Sequence, residues 1–211
     1  MNIGASMAGG NREGEAIEHN FYGTEPAATH AVMRFLKQHW GKDEPLRVWE
    51  PFCGKGAMSE VIRDYSFVQG VISTDIVDRG YGTGGVDFLK VDALPKTQRG
   101  VYDTIITNPS FEDTFEFFNH AVGLGVQRMV FLMKAQYWHS NWQKPPYTSK
   151  MMWHGWTPSW WLPLTWRLQF KEHIEGEKKA SSTMDTAFCV WDRHAKHQGC
   201  LTVPLLKPKG L

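Results

Sequence analysis

Four short stretches of this chain hold residue types able to do chemistry: Glu50 to Gly56 (EPFCGKG), Asp75, Asp87-Phe88 and Asn108-Pro109-Ser110-Phe111. The first is a glycine-rich turn in which Gly54 and Gly56 would let the backbone approach a ligand closely. It is not a dinucleotide loop, because Ser59 stands where G-x-G-x-x-G needs its third glycine. Glu50 argues in the same direction. A carboxylate at this turn disfavours a pyrophosphate and favours a ligand carrying an ammonium or sulfonium group. The plain alternative is a tight turn with no ligand. Asp75 stands where an acid meets a ribose diol in nucleoside-binding sheets, and alone it reads equally as a turn residue or a helix cap. Asp78 is a weaker candidate nearby. Asp87 could accept from an exocyclic amine while Phe88 covers a purine ring, or Asp87 could be a simple strand-end acid.

Asn108-Pro109-Ser110-Phe111 carries a different chemistry. The Asn side-chain oxygen and the Pro carbonyl can both accept from one NH2 group. Proline holds its carbonyl rigidly, since its φ is fixed. An aromatic ring two residues on can stack on the ring that bears the amine. Such a grip draws the nitrogen lone pair out of conjugation and makes it a usable nucleophile without a strong base. The remaining catalysis is positioning, with the nucleophile held in line with its target carbon. As an isolated tetrapeptide, N-P-x-F mostly marks a turn. Its weight comes from its place after the other three stretches.

These stretches need a scaffold that brings them together. A helix is expected from Glu25-Pro26 to Gly41, with Thr24 as a possible cap and Val32, Phe35, Leu36 and Trp40 on its apolar face. Short apolar runs predict strands over 46–52, 70–76, 86–89, 103–108 and 128–134. A helix is expected after the glycine-rich turn and another over 111–122. This alternation implies a parallel sheet with helices on both faces, in which ligands gather at the carboxyl ends of the strands. All four stretches stand at such ends. Residues 135–164 lose any period and read as an irregular insertion. Two further strands, 165–170 and 186–193, lack an intervening helix and imply an antiparallel pair at the sheet edge. The polar run between them reads as mobile, with Glu175 to Lys179 a solvated loop.

Length and composition bound the rest. The 211 residues suit one domain, expected over 20–211, behind a flexible, glycine-rich tail at 1–19. No apolar run approaches the ~20 residues of a membrane span, and no signal peptide is evident. Three scattered cysteines form no disulfide framework and suit a cytoplasmic protein. A net charge of +1 does not by itself argue for nucleic acid. Ten tryptophans are unusual, and most fall between Trp138 and Trp166. With Lys134, Lys144, Lys150, Arg167 and Lys171 among them, they could form a base-stacking platform. We read most of these rings instead as the small core of the insertion. His194, His197 and Cys200 have a metal-like spacing but lack a fourth ligand, so no metal is expected.

In order and spacing these motifs resemble a known family. NFYGTEPA, EPFCGKG, STDI, VDFL, TNPSF and AFCVWDR, within residues 20–193, are similar to those of S-adenosylmethionine-dependent adenine-N6 DNA methyltransferases. The chain is most like the short phage or prophage members that lack a separate target-recognition domain. The resemblance implies a Rossmann-like class I methyltransferase fold with a mostly parallel seven-stranded sheet. It also implies S-adenosylmethionine as cofactor and DNA as partner. Phe21, Tyr22 and Thr24 would line the methionine end of the cofactor, and Glu50, Phe52, Gly54 and Gly56 would form its main loop. Asp75 would bind the ribose hydroxyls, while Asp87 and Phe88 would read the cofactor adenine. Asn108 and Pro109 would hold the target amine, and Phe111 would stack on an adenine flipped out of the duplex. One position departs from the family, which usually has Pro where this chain has Ser110. The change removes stiffness from the loop. Other acceptors, RNA adenine or a protein glutamine, fit the same Asn-Pro chemistry. A nucleic-acid-binding protein of this fold without turnover is the alternative from another class.

Overall fold

The computed structural model describes residues 23–41, 45–111, 113–138, 157–168 and 184–210. Phe21 and Tyr22, the N-terminal tail, residues 139–156 and residues 169–183 lie outside these, and with them the expectations for Trp142, Trp153, Trp156 and the Glu175–Lys179 run.

Helix α1 spans Pro26–Trp40, with proline in its first turn, and at its far end the Gly41 N–H donates to the Lys37 carbonyl at 3.0 Å. The expected Thr24 cap is not made. Glu25 occupies the N-cap position and makes no side-chain capping bond, while the Thr24 hydroxyl is committed elsewhere. There follow β1 (Leu46–Glu50), α2 (Ala57–Arg63) and β2 (Val68–Ser73). Next come the small hairpin β3 (Lys96–Thr97) and β4 (Gly100–Val101), then β5 (Thr104–Thr107), α3 (Thr114–Gly123) and β6 (Arg128–Lys134). The chain closes with β7 (Trp160–Pro163), β8 (Thr186–Asp192) and β9 (Leu201–Thr202).

Among the described residues, seven strands form one sheet in the order β2-β1-β5-β6-β8-β7-β9. The pairs β2/β1, β1/β5, β5/β6 and β7/β9 are parallel, and β8 runs antiparallel to both β6 and β7. The sheet is seven-stranded and mostly parallel, as expected, but its membership differs from the sequence reading. Val86–Leu89 is not a strand. Asp87 instead caps a short 3-10 turn over Phe88–Lys90, accepting from the Leu89 N–H at 3.1 Å. Residues 165–168, the described part of the strand expected at 165–170, are not a strand; one forms earlier, at Trp160–Pro163, inside the segment read as irregular, and β9 supplies the seventh strand. The expected antiparallel pair is therefore β7 with β8, and it is β9 that takes the sheet edge.

Alternation along the strands sends side chains to two separate cores. Val48, Ile106, Val130, Leu132, Leu162, Phe188 and Val190 pack beneath α1 and α2. Trp49, Ile105, Met129, Phe131, Met133, Cys189 and Trp191 pack beneath α3 and the 3-10 turn. Helices thus cover both faces. The tryptophans of β7 join these cores rather than a separate small one: Trp160 is buried with the first set and Trp161 with the second, where Trp138 stacks on it at 5.1 Å. No helix among the described residues is long and apolar enough to cross a membrane.

Candidate active site at the strand ends

The chain runs from β1 outward to β2, then returns to β5 on the other side of β1. The sheet order therefore reverses at β1. The crevice outside the carboxyl ends of β2, β1 and β5 is the topological switch point, the usual ligand position in such sheets. A cavity of about 330 Å³ opens there. Its walls include Thr24, Glu50, Phe52, Asp75, Asp87, Phe88 and Asn108, so residues far apart in sequence meet in one place.

Glu50 ends β1 and is buried, only 2 % exposed. Its carboxyl accepts a very short hydrogen bond from Ser59 Oγ, and Ser59 is linked to Ser73 Oγ at 2.5 Å. Burial dominates the electrostatics and pushes the Glu50 carboxyl up to about 8, against the lowering effects of Ser59 and Arg63. Ser59, which in sequence marks only a missing glycine, is the residue that fixes this carboxyl from the first turn of α2. A buried acid poised near neutrality gains most from a nearby positive charge. Burial likewise pushes the neighbouring Cys53 thiol up to about 12, which makes it a poor nucleophile.

The glycine-rich turn is tied to the end of β2. Gly54 N–H donates to Asp75 Oδ2 at 2.8 Å and Val77 N–H donates to Oδ1 at 2.9 Å, so the Asp75 carboxylate bridges the two loops. Cys53 N–H donates to the Thr74 carbonyl at 3.0 Å, which closes the turn against the sheet. Gly56 adopts φ of 85°, and a Cβ there would collide with the Tyr81 ring. Both conditions demand glycine. Tyr81 belongs to the loop after β2, from which the sequence singles out only Asp75 and Asp78. Ile76, Arg79 and Val86 of that loop also line the cavity. The one signal in the sequence is its glycine content, GYGTGG.

Asp87 pairs with Lys90 at 2.9 Å, which with the Leu89 N–H holds its carboxyl below the ordinary range. Phe88 is 2 % exposed and packs against Trp49 at 5.1 Å and Phe52 at 5.3 Å. It is first a core residue, whose edge reaches the cavity. Phe117 of α3 lies 4.4 Å from Phe52 and extends this apolar wall. Phe117 and Asp113 escape the sequence reading because α3 has the pattern of a packing helix.

The loop after β5 enters from the opposite side. Asn108 and Ser110 line the cavity, whereas Pro109 is buried and is not among its walls. Phe111 stands outside the cavity wall, with Lys134 Nζ 5.2 Å from its ring centre. Asn108 Nδ2 donates to Thr24 Oγ1 at 3.2 Å. Thr114 Oγ1 donates to the Ser110 carbonyl at 2.8 Å, and the Tyr137 hydroxyl donates to the Phe111 carbonyl. These tethers answer the departure at Ser110. Where a second proline would bring stiffness, two side chains hold the backbone carbonyls of Ser110 and Phe111.

The donor set has a definite chemical character. Glu50, Asp75, Asp87 and Asp113 face the cavity against Arg79, with Phe52, Met58, Val86, Phe88 and Phe117 between them. Such a lining suits a partly apolar ligand with hydroxyl, amine or cationic groups and disfavours a phosphate chain. S-adenosylmethionine, with a ribose diol, an adenine amine, an ammonium and a sulfonium, fits this set.

No protein-family model matches the sequence, and no curated protein is significantly similar to it. Solved structures match in fold. The methyltransferase subunit of a type I restriction-modification system from Streptococcus thermophilus superposes with a TM-score of 0.58 at 10 % identity, over 87 % of this chain and 47 % of that one. A proposed class I S-adenosylmethionine-dependent methyltransferase from Listeria monocytogenes gives 0.56 at 13 % identity, over 94 % and 70 %. A proposed RNA methyltransferase from Pyrococcus horikoshii gives 0.55 at 14 % identity, over 84 % and 89 %. The chain spans about half the length of the restriction-modification subunit. With its switch-point cavity and its antiparallel β8 beside a parallel β6, the chain has the fold of the class I methyltransferases.

Proposed function

We propose that the chain binds S-adenosylmethionine and transfers a methyl group to the N6 amine of adenine in DNA. When bound, S-adenosylmethionine supplies an electrophilic methyl carbon on a positively charged sulfur. Glu50 provides a buried carboxyl that favours the cationic end, and Asp75 accepts from the ribose hydroxyls. Asp87 accepts from the cofactor's adenine amine, between the Phe88 edge and the Phe52 ring. Asn108 Oδ1 and the Pro109 carbonyl accept from the target amine and orient its lone pair. Phe111 stacks on the target base after it leaves the duplex, and Lys134 beside that ring meets the flanking phosphate.

One observation carries this reading. Asn108, at the end of β5, opens on the same cavity as Glu50, Asp75 and Asp87, with its amide nitrogen already committed to Thr24. A nucleic acid is favoured over a protein amide by Phe111 and Lys134, which suit a ring on a phosphate backbone better than an amide side chain. For DNA over RNA, the support is the likeness in fold to the methyltransferase subunit of a type I restriction-modification system, against a comparable likeness to a proposed RNA methyltransferase. The test is transfer of labelled methyl groups to adenine-containing DNA, to RNA of matched sequence and to protein. Label in DNA adenine is the expected result. Cofactor binding without label in any adenine-containing DNA would overturn the proposal, and label confined to RNA would redirect it.

A further inference from the structure

By sequence Thr24 is a candidate cap of α1 and a candidate wall of the methionine end of a cofactor site. It does not cap the helix. It is 4 % exposed, it lines the cavity, and its hydroxyl accepts from Asn108 Nδ2 across a sequence separation of 84 residues. An asparagine amide has a donor end and an acceptor end, and only the acceptor end can hold an amine. Here the nitrogen is the end bonded to the Thr24 hydroxyl, which leaves the oxygen at the opposite end of the amide.

Residues 23–25 are themselves held. The Glu25 carbonyl accepts from the Ala28 N–H at 2.9 Å in the first turn of α1, and the Glu25 carboxylate pairs with Lys207 Nζ at 2.7 Å. The Thr24 hydroxyl is therefore mounted on a segment fixed by both α1 and the C-terminal stretch. Gly23 and Thr24 also line the cavity that Glu50 and Asp75 share. This single side chain joins the segment that borders the donor half to the residue that would grip the acceptor.

We propose that Thr24 is a positioning residue that fixes the Asn108 amide with its oxygen toward the acceptor, so that the two halves of the site are set in register. The inference rests on the methyl-transfer reading for its consequence in turnover. Its structural core, the orientation of the Asn108 amide, does not. Thr24→Val keeps the shape and removes the hydroxyl, whereas Thr24→Ser keeps the hydroxyl. The expected result for Thr24→Val is a loss of about tenfold or more in single-turnover methyl transfer at saturating cofactor, the scale of one hydrogen bond. Thr24→Ser should recover the rate to within about threefold of wild type, since it restores the same hydrogen bond. A second readout is independent of turnover: the nitrogen-15 side-chain amide resonance of Asn108 should move in Thr24→Val and stay near its wild-type position in Thr24→Ser. Wild-type rate and an unmoved resonance in Thr24→Val would overturn the proposal, as would equal loss in both variants. If wild type itself transfers no methyl group, the functional reading fails and the resonance still decides the role of Thr24.

Discussion

At the residue scale, Asn108 and Glu50 carry the proposed chemistry, and each makes a separate prediction. Asn108→Ala removes an acceptor needed only when the amine is gripped. Methyl transfer should fall by about a hundredfold or more while cofactor affinity stays within a few-fold, because positioned electrostatic groups act on the transition state. Glu50 predicts a pH dependence. Its carboxyl titrates near 8 in the folded protein, against 4.5 for an ordinary glutamate, so the folded state holds a proton that the unfolded chain releases. The associated stability is fully present below the unfolded value, declines as pH rises, and is lost once pH passes about 8. Glu50→Gln should remove this decline, which thermal melts of wild type and variant between about pH 5 and 9 would read as a widening gap between the two proteins. The same substitution should weaken S-adenosylmethionine most at high pH, where wild-type Glu50 carries its charge.

These residues are legible to different degrees in the sequence. Glu50, Asp75 and Asn108 could be placed at one crevice because each closes an apolar run at the end that faces ligands in a parallel sheet, whereas Asp87 reaches it from a 3-10 turn. Ser59 could not, since a serine in a helix gives no sign that it faces a buried carboxyl. Thr24 looks like a cap because its position before Pro26 matches that pattern. The competing bond to Asn108 comes from tertiary structure, which local spacing does not reveal. Phe111 was expected beside the amine. It stands instead beyond the cavity wall, near Lys134, where a base entering from outside would meet it.

At the scale of elements, the glycine turn between β1 and α2 shapes the donor half. Gly56 lies under the Tyr81 ring with a left-handed backbone, and Gly54 gives its N–H to Asp75. Gly56→Ala should cost about 1–3 kcal/mol in chemical denaturation, from backbone strain and displacement of the Tyr81 ring. Adding Tyr81→Ala should restore only the part owed to the ring, leaving the backbone part. Strand β6 is legible with both ends correct, because RMVFLMK is almost continuously apolar and buried on both faces. Val86–Leu89 resembles a strand for the same reason, a short apolar run. Asp87 instead begins a 3-10 turn that drives Phe88 into the core. Strand β7 is hidden because prolines and tryptophans crowd its neighbourhood, and β9, only two residues long, has no pattern to read.

At the scale of the molecule, the reversal of strand order at β1 makes the site. It places the ends of β1, β2 and β5 side by side and lets one cavity collect residues from Thr24 to Phe117. The alternation of βα units was enough to anticipate that crevice, and the strand order across β7, β8 and β9 required the structure. Ligand binding to a site assembled from so many segments should stabilise the whole fold. S-adenosylmethionine at about a hundred times its dissociation constant should add about 2.7 kcal/mol to unfolding. Glu50→Gln should reduce that gain at equal ligand concentration. Asn108→Ala should leave it close to wild type, because Asn108 belongs to the acceptor half.

The central claim is that one cavity has a donor half and an acceptor half, and that Asn108 serves the second. Its most direct test is mass spectrometry of nucleosides from adenine-containing DNA incubated with S-adenosylmethionine and either wild type or Asn108→Ala. We predict N6-methyladenine from wild type and a near-complete loss from a variant that still binds the cofactor. N6-methyladenine formed equally by both proteins would contradict the account.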